Sequence, residues 1–287
     1  MRKRLKQALT ALLCLTGCTP LTRTGTDMQA WAVYYDTKLP ASAFSSMDLV
    51  VFDRRSYPKF KELKGDTLVL AYVSMGEVYD DVPEKDILKG KKLLLSQHPV
   101  WKSHAVDLTS PIWRNMVLSY VDDAASKGFD GVMLDTVDAP LHWAEVNAPG
   151  RVDAMREGAA MLIHAIRAKH PKMKIMLNRG FSVLTDVAPD IDYVLAESIL
   201  ANTNVSTGHF ELFPPKTVAE VAKKLQNVVA LAPHLQVFTL DYWYQDDARG
   251  LERIYAMQRA QGFIPYVTLP DLQHFTPEAV PVRRDHR

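Results

Sequence analysis

Two short stretches of this chain close an apolar run on a single carboxylate: Gly131-Val-Met-Leu-Asp135 and Tyr193-Val-Leu-Ala-Glu197. Two acids facing one pocket can divide a reaction between them. One attacks or stabilises an anomeric carbon while the other protonates the departing oxygen, so one must be ionised and the other must hold a proton. Other apolar runs end on Asp53, Glu77 and Asp241, with Asn178 and Arg179 closing another and Asp138 just beyond Asp135. Aromatic residues fall near the same ends, among them Tyr35, Tyr72 and Tyr79, and Tyr242 and Trp243 directly follow Asp241. A pyranose offers an apolar C–H face to such rings. The expected substrate-binding set is therefore Tyr35, Asp53, Glu77, Asp138, Asn178, Asp241, Tyr242 and Trp243.

A paired-acid mechanism needs no metal and no cofactor. A carboxylate-rich rim would also suit Mg²⁺ or Ca²⁺, which favour oxygen ligands, so a divalent-metal enzyme is an alternative. The chain carries no G-x-S-x-G, H-E-x-x-H or clustered Cys/His pattern, which leaves serine and zinc hydrolysis without support. The histidines are scattered, and His164 sits in a helical stretch where a structural role is expected.

Positioning these residues requires strands whose ends converge. Runs at 30–35, 48–53, 67–74, 129–135, 173–178, 191–197, 235–241 and 263–268 are mostly continuous rather than alternating in hydrophobicity, as parallel strands covered on both faces would be. Helical periodicity fills 110–128, 152–169 and 217–230, with Ser110-Pro111 and Thr217 as starts and Gly128 as a stop. Eight strands interleaved with helices predict a single-domain (β/α)₈ TIM barrel over 29–275. The 36–47 connection is only weakly helical, and 75–109 is long enough for a helix and an extra strand around 104–108. A doubly wound open sheet is the alternative, disfavoured because no strand leads into a G-x-G-x-x-G or P-loop pattern.

Of 287 residues, 47% are hydrophobic and 23% charged, an ordinary globular balance. Arg2, Lys3, Arg4 and Lys6 precede a short apolar run and Leu15-Thr-Gly-Cys18, so 1–17 reads as a lipoprotein signal peptide with Cys18 lipidated. A plain secretory signal is the alternative. Residues 18–28 would be a tether and 276–287 a tail. Thr19 after the Cys would sort the protein to the outer membrane of a Gram-negative envelope. Cys14 and Cys18 are the two cysteines, so the body has no thiol for a disulfide. Without residues 1–17, which hold four basic and no acidic residues, the net charge falls from +1 to −3. No nucleic-acid partner is implied.

The chain resembles glycoside hydrolase family 114, the endo-α-1,4-polygalactosaminidase-like barrels, from about Trp31 to Pro270. The carriers are Ala71-Tyr-Val-Ser-Met-Gly-Glu77, the stretch from Gly128 through Asp135 to Asp138, Asn178-Arg-Gly180, Leu195-Ala-Glu197-Ser198 and Leu240-Asp-Tyr242. The resemblance implies a TIM barrel, no cofactor, catalytic acids at Asp135 and Glu197, and a cationic, galactosamine-rich polysaccharide as substrate. Members with established activity often carry Asn after the first acid, where this chain has Thr136. An acidic rim independently suits an amino sugar, which is largely cationic near neutral pH.

The two acids close strands of like parity, so their carboxyl groups are expected at about 5–5.5 Å, the retaining separation. Asp135, beside Asp138, is expected to be exposed and ionised as the nucleophile. Glu197, after a more apolar approach, is expected to hold the proton as general acid. A non-catalytic carbohydrate-binding lipoprotein is a further alternative, which would need neither acid.

Overall fold

All eight apolar runs form strands: β1 (Trp31–Tyr34), β2 (Leu49–Asp53), β3 (Leu68–Ser74), β4 (Gly131–Asp135), β5 (Lys174–Asn178), β6 (Tyr193–Glu197), β7 (Gln236–Tyr242) and β8 (Ile264–Thr268). A computed structural model describes residues 28–63, 67–204 and 207–278. The leader, Cys18, the tether as far as 27, and the tail beyond 278 lie outside the described residues. The strands pair in sequence order, each parallel to the next. The sheet comes round on itself where Trp31 Nε1 of β1 donates to the Ile264 carbonyl of β8 at 3.0 Å. This is a TIM barrel, and its strands are apolar on both faces because side chains fill the inside and helices cover the outside.

Three aspartates organise the N-terminal ends of the strands. Asp48 accepts from the Gln29 and Ala30 amides at 2.7 and 3.1 Å, Asp130 from Val69 at 2.8 Å, and Asp192 from Ile175 at 3.0 Å. Each precedes an even-numbered strand and satisfies backbone donors at the start of its odd-numbered neighbour, which fixes register where the ladder begins. Inside, alternation stacks the barrel in layers. Trp31 meets Phe238 and Tyr266 with ring centroids 5.6 and 5.8 Å apart, and Phe238 meets Tyr193 at 5.3 Å, all near edge-to-face. Two residues further along each strand, Val33, Leu195 and Leu240 join Met133 to floor a cavity.

The helix Pro111–Lys127 starts as expected, with Ser110 Oγ accepting from the Trp113 amide at 3.4 Å, and stops at Gly128, whose φ is 91°. Val152–Lys169 follows its periodicity. Thr217, expected as a cap, is instead inside the helix Pro215–Leu231: Pro215 supplies the first turn and Pro214 makes no side-chain cap. The 36–47 connection holds only a 3₁₀ turn, Ala41–Phe44. Residues 75–109 contain the helix Glu84–Gly90 and three antiparallel strands, Glu77–Tyr79, Leu94–Gln97 and Ser103–Val106, two strands more than expected. The helices Leu184–Val187 and Ala248–Ala260 lie outside the periodic stretches, and so do two elements near the strand ends. One is the helix Asp138–Asn147, with Pro140 in its first turn where its missing N–H is harmless. The other is the hairpin Ala201–Thr203 with Phe210–Leu212. No described helix is long and apolar enough to cross a membrane.

Candidate active site

Asn178, the last residue of β5, joins the two acids. Its Nδ2 donates to Asp135 Oδ1 at 2.8 Å and to Glu197 Oε2 at 2.6 Å. Two bonds from one nitrogen keep the facing oxygens within about 5.4 Å of each other. Asn178 is opposite Leu195 in register, two residues short of Glu197. Barrel shear staggers alternate strands in this way, so the ends of β4 and β6 share a layer with β5 between them. Asn178 itself is 3% exposed, and Glu197 is held on its other oxygen by the Tyr242 hydroxyl at 2.5 Å.

The three residues that follow these side chains share a backbone conformation. Thr136, Arg179 and Ser198 have φ of 68°, 55° and 53°, left-handed values that cost a non-glycine residue roughly 1–2 kcal/mol. Each kink turns the chain away while the parallel ladder continues: Met75 N donates to the Asp135 carbonyl at 2.9 Å, Arg179 N to Leu195 at 2.8 Å and Ser198 N to Leu240 at 2.7 Å. The functional side chain is thus the last inward residue of its strand. Thr136, a β-branched residue where Asn would be less strained, is held by its Oγ1, which donates to the Asp135 carbonyl at 2.6 Å and accepts from Gly76 N at 3.0 Å. Single-residue strain at three adjacent strand ends marks the place where geometry is over-determined.

The acids sit above the apolar floor in a cavity of about 440 Å³, a size typical of small-molecule sites. Asp53, Glu77 and Asp271 join Asp135 and Glu197 in its walls, against the Arg55 guanidinium. Arg55 is already engaged, 3.7 Å from Asp53 and 3.5 Å from Asp81. Asp135 is half-buried. Its pKa is pushed up to about 7, first by burial and then by the charge of Glu197, against hydrogen bonds from the Thr136 amide, Asn178 and Tyr72. The expectation of an exposed, ionised Asp135 does not hold: the residue is half-buried, and in the unliganded site its carboxyl is held above the usual carboxylate range. Burial also lifts the Tyr35, Tyr72 and Tyr242 phenols well above their ordinary value and Tyr79 to about 12, so all four act as neutral donors.

Of the expected binding residues, Tyr35, Asp53, Glu77, Asn178 and Tyr242 line this cavity. Glu77 is 5% exposed and its Oε2 accepts from Ser103 Oγ at 2.6 Å. Asp138 is absent from the lining: it starts a helix and pairs with Arg179 Nε at 3.3 Å on the rim. Asp241 is a correction. It is fully buried on the outer face of β7, where Oδ1 accepts from the Leu200 and Ala201 amides at 2.9 and 2.8 Å and Oδ2 from Gln258 Nε2 at 2.5 Å. Trp243 is a second correction. It packs outside the barrel beside Leu200, Ile254 and Val267, its indole N–H on Asp247 at 2.9 Å, and cannot stack on a sugar in the cavity. The alternation along β7 explains both, since Leu240 and Tyr242 face in and their odd-numbered neighbours face out. Tyr72, Tyr79, His98, Trp101 and Asp271 line the cavity beyond the expected set. His98 and Trp101 lie on a connection whose strands carry little periodic signal. Among the described residues no three His, Cys, Asp or Glu side chains converge as a metal site, and His164 pairs with Asp190 at 2.6 Å on the exterior.

A parallel eight-stranded barrel with two acids on alternate strand ends defines a glycosidase-like site, and residues 17–281 match the sequence profile of glycoside-hydrolase family GH114. The chain belongs to that family. It is 27% identical over 259 residues to an uncharacterized protein of Deinococcus radiodurans, covering 84% of this chain and 80% of that one. It is 26% identical over 222 residues to an uncharacterized protein of Thermotoga maritima, covering 71% of this chain and 66% of that protein's length. Among solved structures, the glycoside hydrolase domain of PelA from Pseudomonas aeruginosa superposes with a TM-score of 0.75 at 23% identity, over 86% of this chain and 96% of that one. Aspergillus fumigatus Ega3, solved in complex with galactosamine, gives 0.63 at 17% identity, over 87% of this chain and 94% of that one. These two likenesses concern the fold.

Proposed function

We propose that this chain hydrolyses an α-1,4-linked, galactosamine-rich polysaccharide with retention of configuration, Asp135 acting as nucleophile and Glu197 as general acid and base. The carrying observation is the Asn178 amide, whose bonds of 2.8 and 2.6 Å hold both acids to one nitrogen. A short spacing favours attack on C1 by the first acid itself, with water entering in the second step. A cationic amino sugar fits a cavity whose walls carry five carboxylates against one arginine, and the galactosamine bound to Ega3 favours the same sugar class.

The protonation of the pair supports a division of roles that depends on substrate. With Asp135 raised to about 7, part of the unliganded protein holds a proton on this carboxyl near neutral pH. An ammonium group bound beside Asp135 favours its ionised form, the form a nucleophile needs. The nucleophile is then fully charged only when a cationic sugar is seated. Purified mature protein incubated with α-1,4-linked galactosamine polymer should release oligosaccharides, and the Asp135→Asn and Glu197→Gln variants should not. An unchanged polymer with active-site-intact protein would overturn this reading.

Residues 1–17 are proposed to direct export and Cys18 to carry the lipid that holds the barrel at the cell envelope, on the outer membrane in a Gram-negative host. The basic, apolar, Leu-Thr-Gly-Cys order supports it. Cys18→Ser should leave the protein unprocessed or released; unchanged mass and membrane fractionation would sink the idea.

A further inference from the structure

The three-stranded sheet inserted after β3 reaches over the cavity, and its outer turn, 98–102, is tightly built. His98 Nδ1 accepts from the Val100 and Trp101 amides at 3.2 Å each, His98 N donates to the Ser103 carbonyl at 2.8 Å, and Asp80 N donates to the Lys102 carbonyl at 2.9 Å. Lys102 takes a left-handed φ of 50° to close it. A turn with this many fixed bonds nevertheless presents Trp101 at 55% exposure, the largest exposed apolar side chain among the described residues. An indole left in water on an ordered turn gains nothing for folding. Trp101 lines the same cavity as Asp135 and Glu197, with Glu77 and Tyr79 of the inserted sheet continuing the wall between them. Tyr79 is tied back to the barrel by its hydroxyl, 2.9 Å from that of Tyr72.

We propose that Trp101 is the stacking platform for a hexosamine unit of the polymer away from the bond being cut. The inference rests on the function proposed above and deepens it. The indole takes the apolar C–H face of a pyranose, the geometry in which aromatic rings bind sugars, while the acidic wall holds the amino groups. A site that grips a second unit reads a chain rather than a single glycoside.

Two measurements separate this inference from the reading beneath it. The first compares kcat/KM on α-1,4-linked galactosamine polymer with that on a small aryl α-galactosaminide. Trp101→Ala should lower the polymer-to-aryl ratio about tenfold, chiefly through KM on the polymer, and Trp101→Phe should restore most of it. An unchanged ratio would overturn the platform while leaving the hydrolase intact. The second is electrophoresis in gels containing the polymer. Asp135→Asn should be retarded as strongly as wild type, and Trp101→Ala on either background should run as in a polymer-free gel. Wild type retarded but inactive would remove the hydrolase and keep the platform; Trp101→Ala retarded like wild type would remove the platform alone.

Discussion

The Tyr242 hydroxyl donates to Glu197 Oε1 at 2.5 Å, from β7 to the end of the adjacent β6. With Asn178 on the other oxygen, this bond leaves the Glu197 carboxyl one orientation toward the cavity. Tyr242→Phe keeps the buried ring and removes the donor. Since a hydrogen bond to a protonated carboxyl is worth about 0.5–1.5 kcal/mol, kcat should fall roughly 2–10-fold with little change in melting temperature. Wild-type kcat in that variant would mean that Glu197 is oriented by other contacts.

Asp135 should make the protein more stable when its charge is removed. Burial and the Glu197 charge raise its pKa from 3.8 to about 7. Between those values the folded protein holds a proton that the unfolded chain has released, so stability declines as pH rises through this window and stays lower above it. Asp135→Asn should therefore be more stable than wild type by roughly 1–3 kcal/mol at pH 8, with the difference closing near pH 4. Urea titrations at both pH values measure it; a variant less stable than wild type at pH 8 would contradict the placement of the proton.

Asp241→Ala should test the outward assignment of that residue. It strands two backbone amides and the Gln258 side chain, all buried, without acceptors. A loss of about 3–5 kcal/mol in stability follows, with kcat/KM per folded molecule largely kept at low temperature. Unchanged stability together with lost activity would return Asp241 to the substrate site.

Gly76→Ala should disable the site from a distance. A Cβ there would meet the Thr136 carbonyl oxygen at 2.1 Å, a backbone atom that cannot swing aside. Thr136 would have to move, and with it the kink that ends β4 at Asp135. Activity should drop at least about 100-fold, and thermal unfolding should show partial loss of stability. An active, stable variant would mean that the strained turn is adaptable.

The strands are legible in the sequence because parallel barrel strands are buried on both faces, and a continuous apolar run such as Val132-Met-Leu134 fits little else at that length. The acids are legible where they share the inward phase of their strands: Asp135 follows Met133 by two residues and Glu197 follows Leu195 by two, and all four line the cavity. Asp241 and Trp243 mislead because adjacent polar and aromatic residues at a strand end look like a cluster. Tyr242 faces in, so its immediate neighbours face out, and period-two alternation already holds that answer. Asn178 is expected to bind substrate, but its bridging of two acids depends on the shear between strands, which no local pattern encodes. Trp101 and His98 stay hidden because they lie in a turn between two strands of only four residues each, and its placement over the cavity is a tertiary fact.

Roles within the pair can be told apart by chemistry. Glu197→Ala should recover activity on an aryl α-galactosaminide when azide is supplied, giving an α-azide, because Asp135 still forms the glycosyl intermediate. A β-azide from that variant would make Glu197 the nucleophile.

The most direct measurement of the central claim is proton NMR of the first reducing ends released from α-1,4-linked galactosamine polymer. Double displacement by two acids held to one nitrogen predicts α-anomers first, with β-anomers growing in only by mutarotation. β-Anomers appearing first would contradict the account, because inversion requires water rather than Asp135 to attack C1.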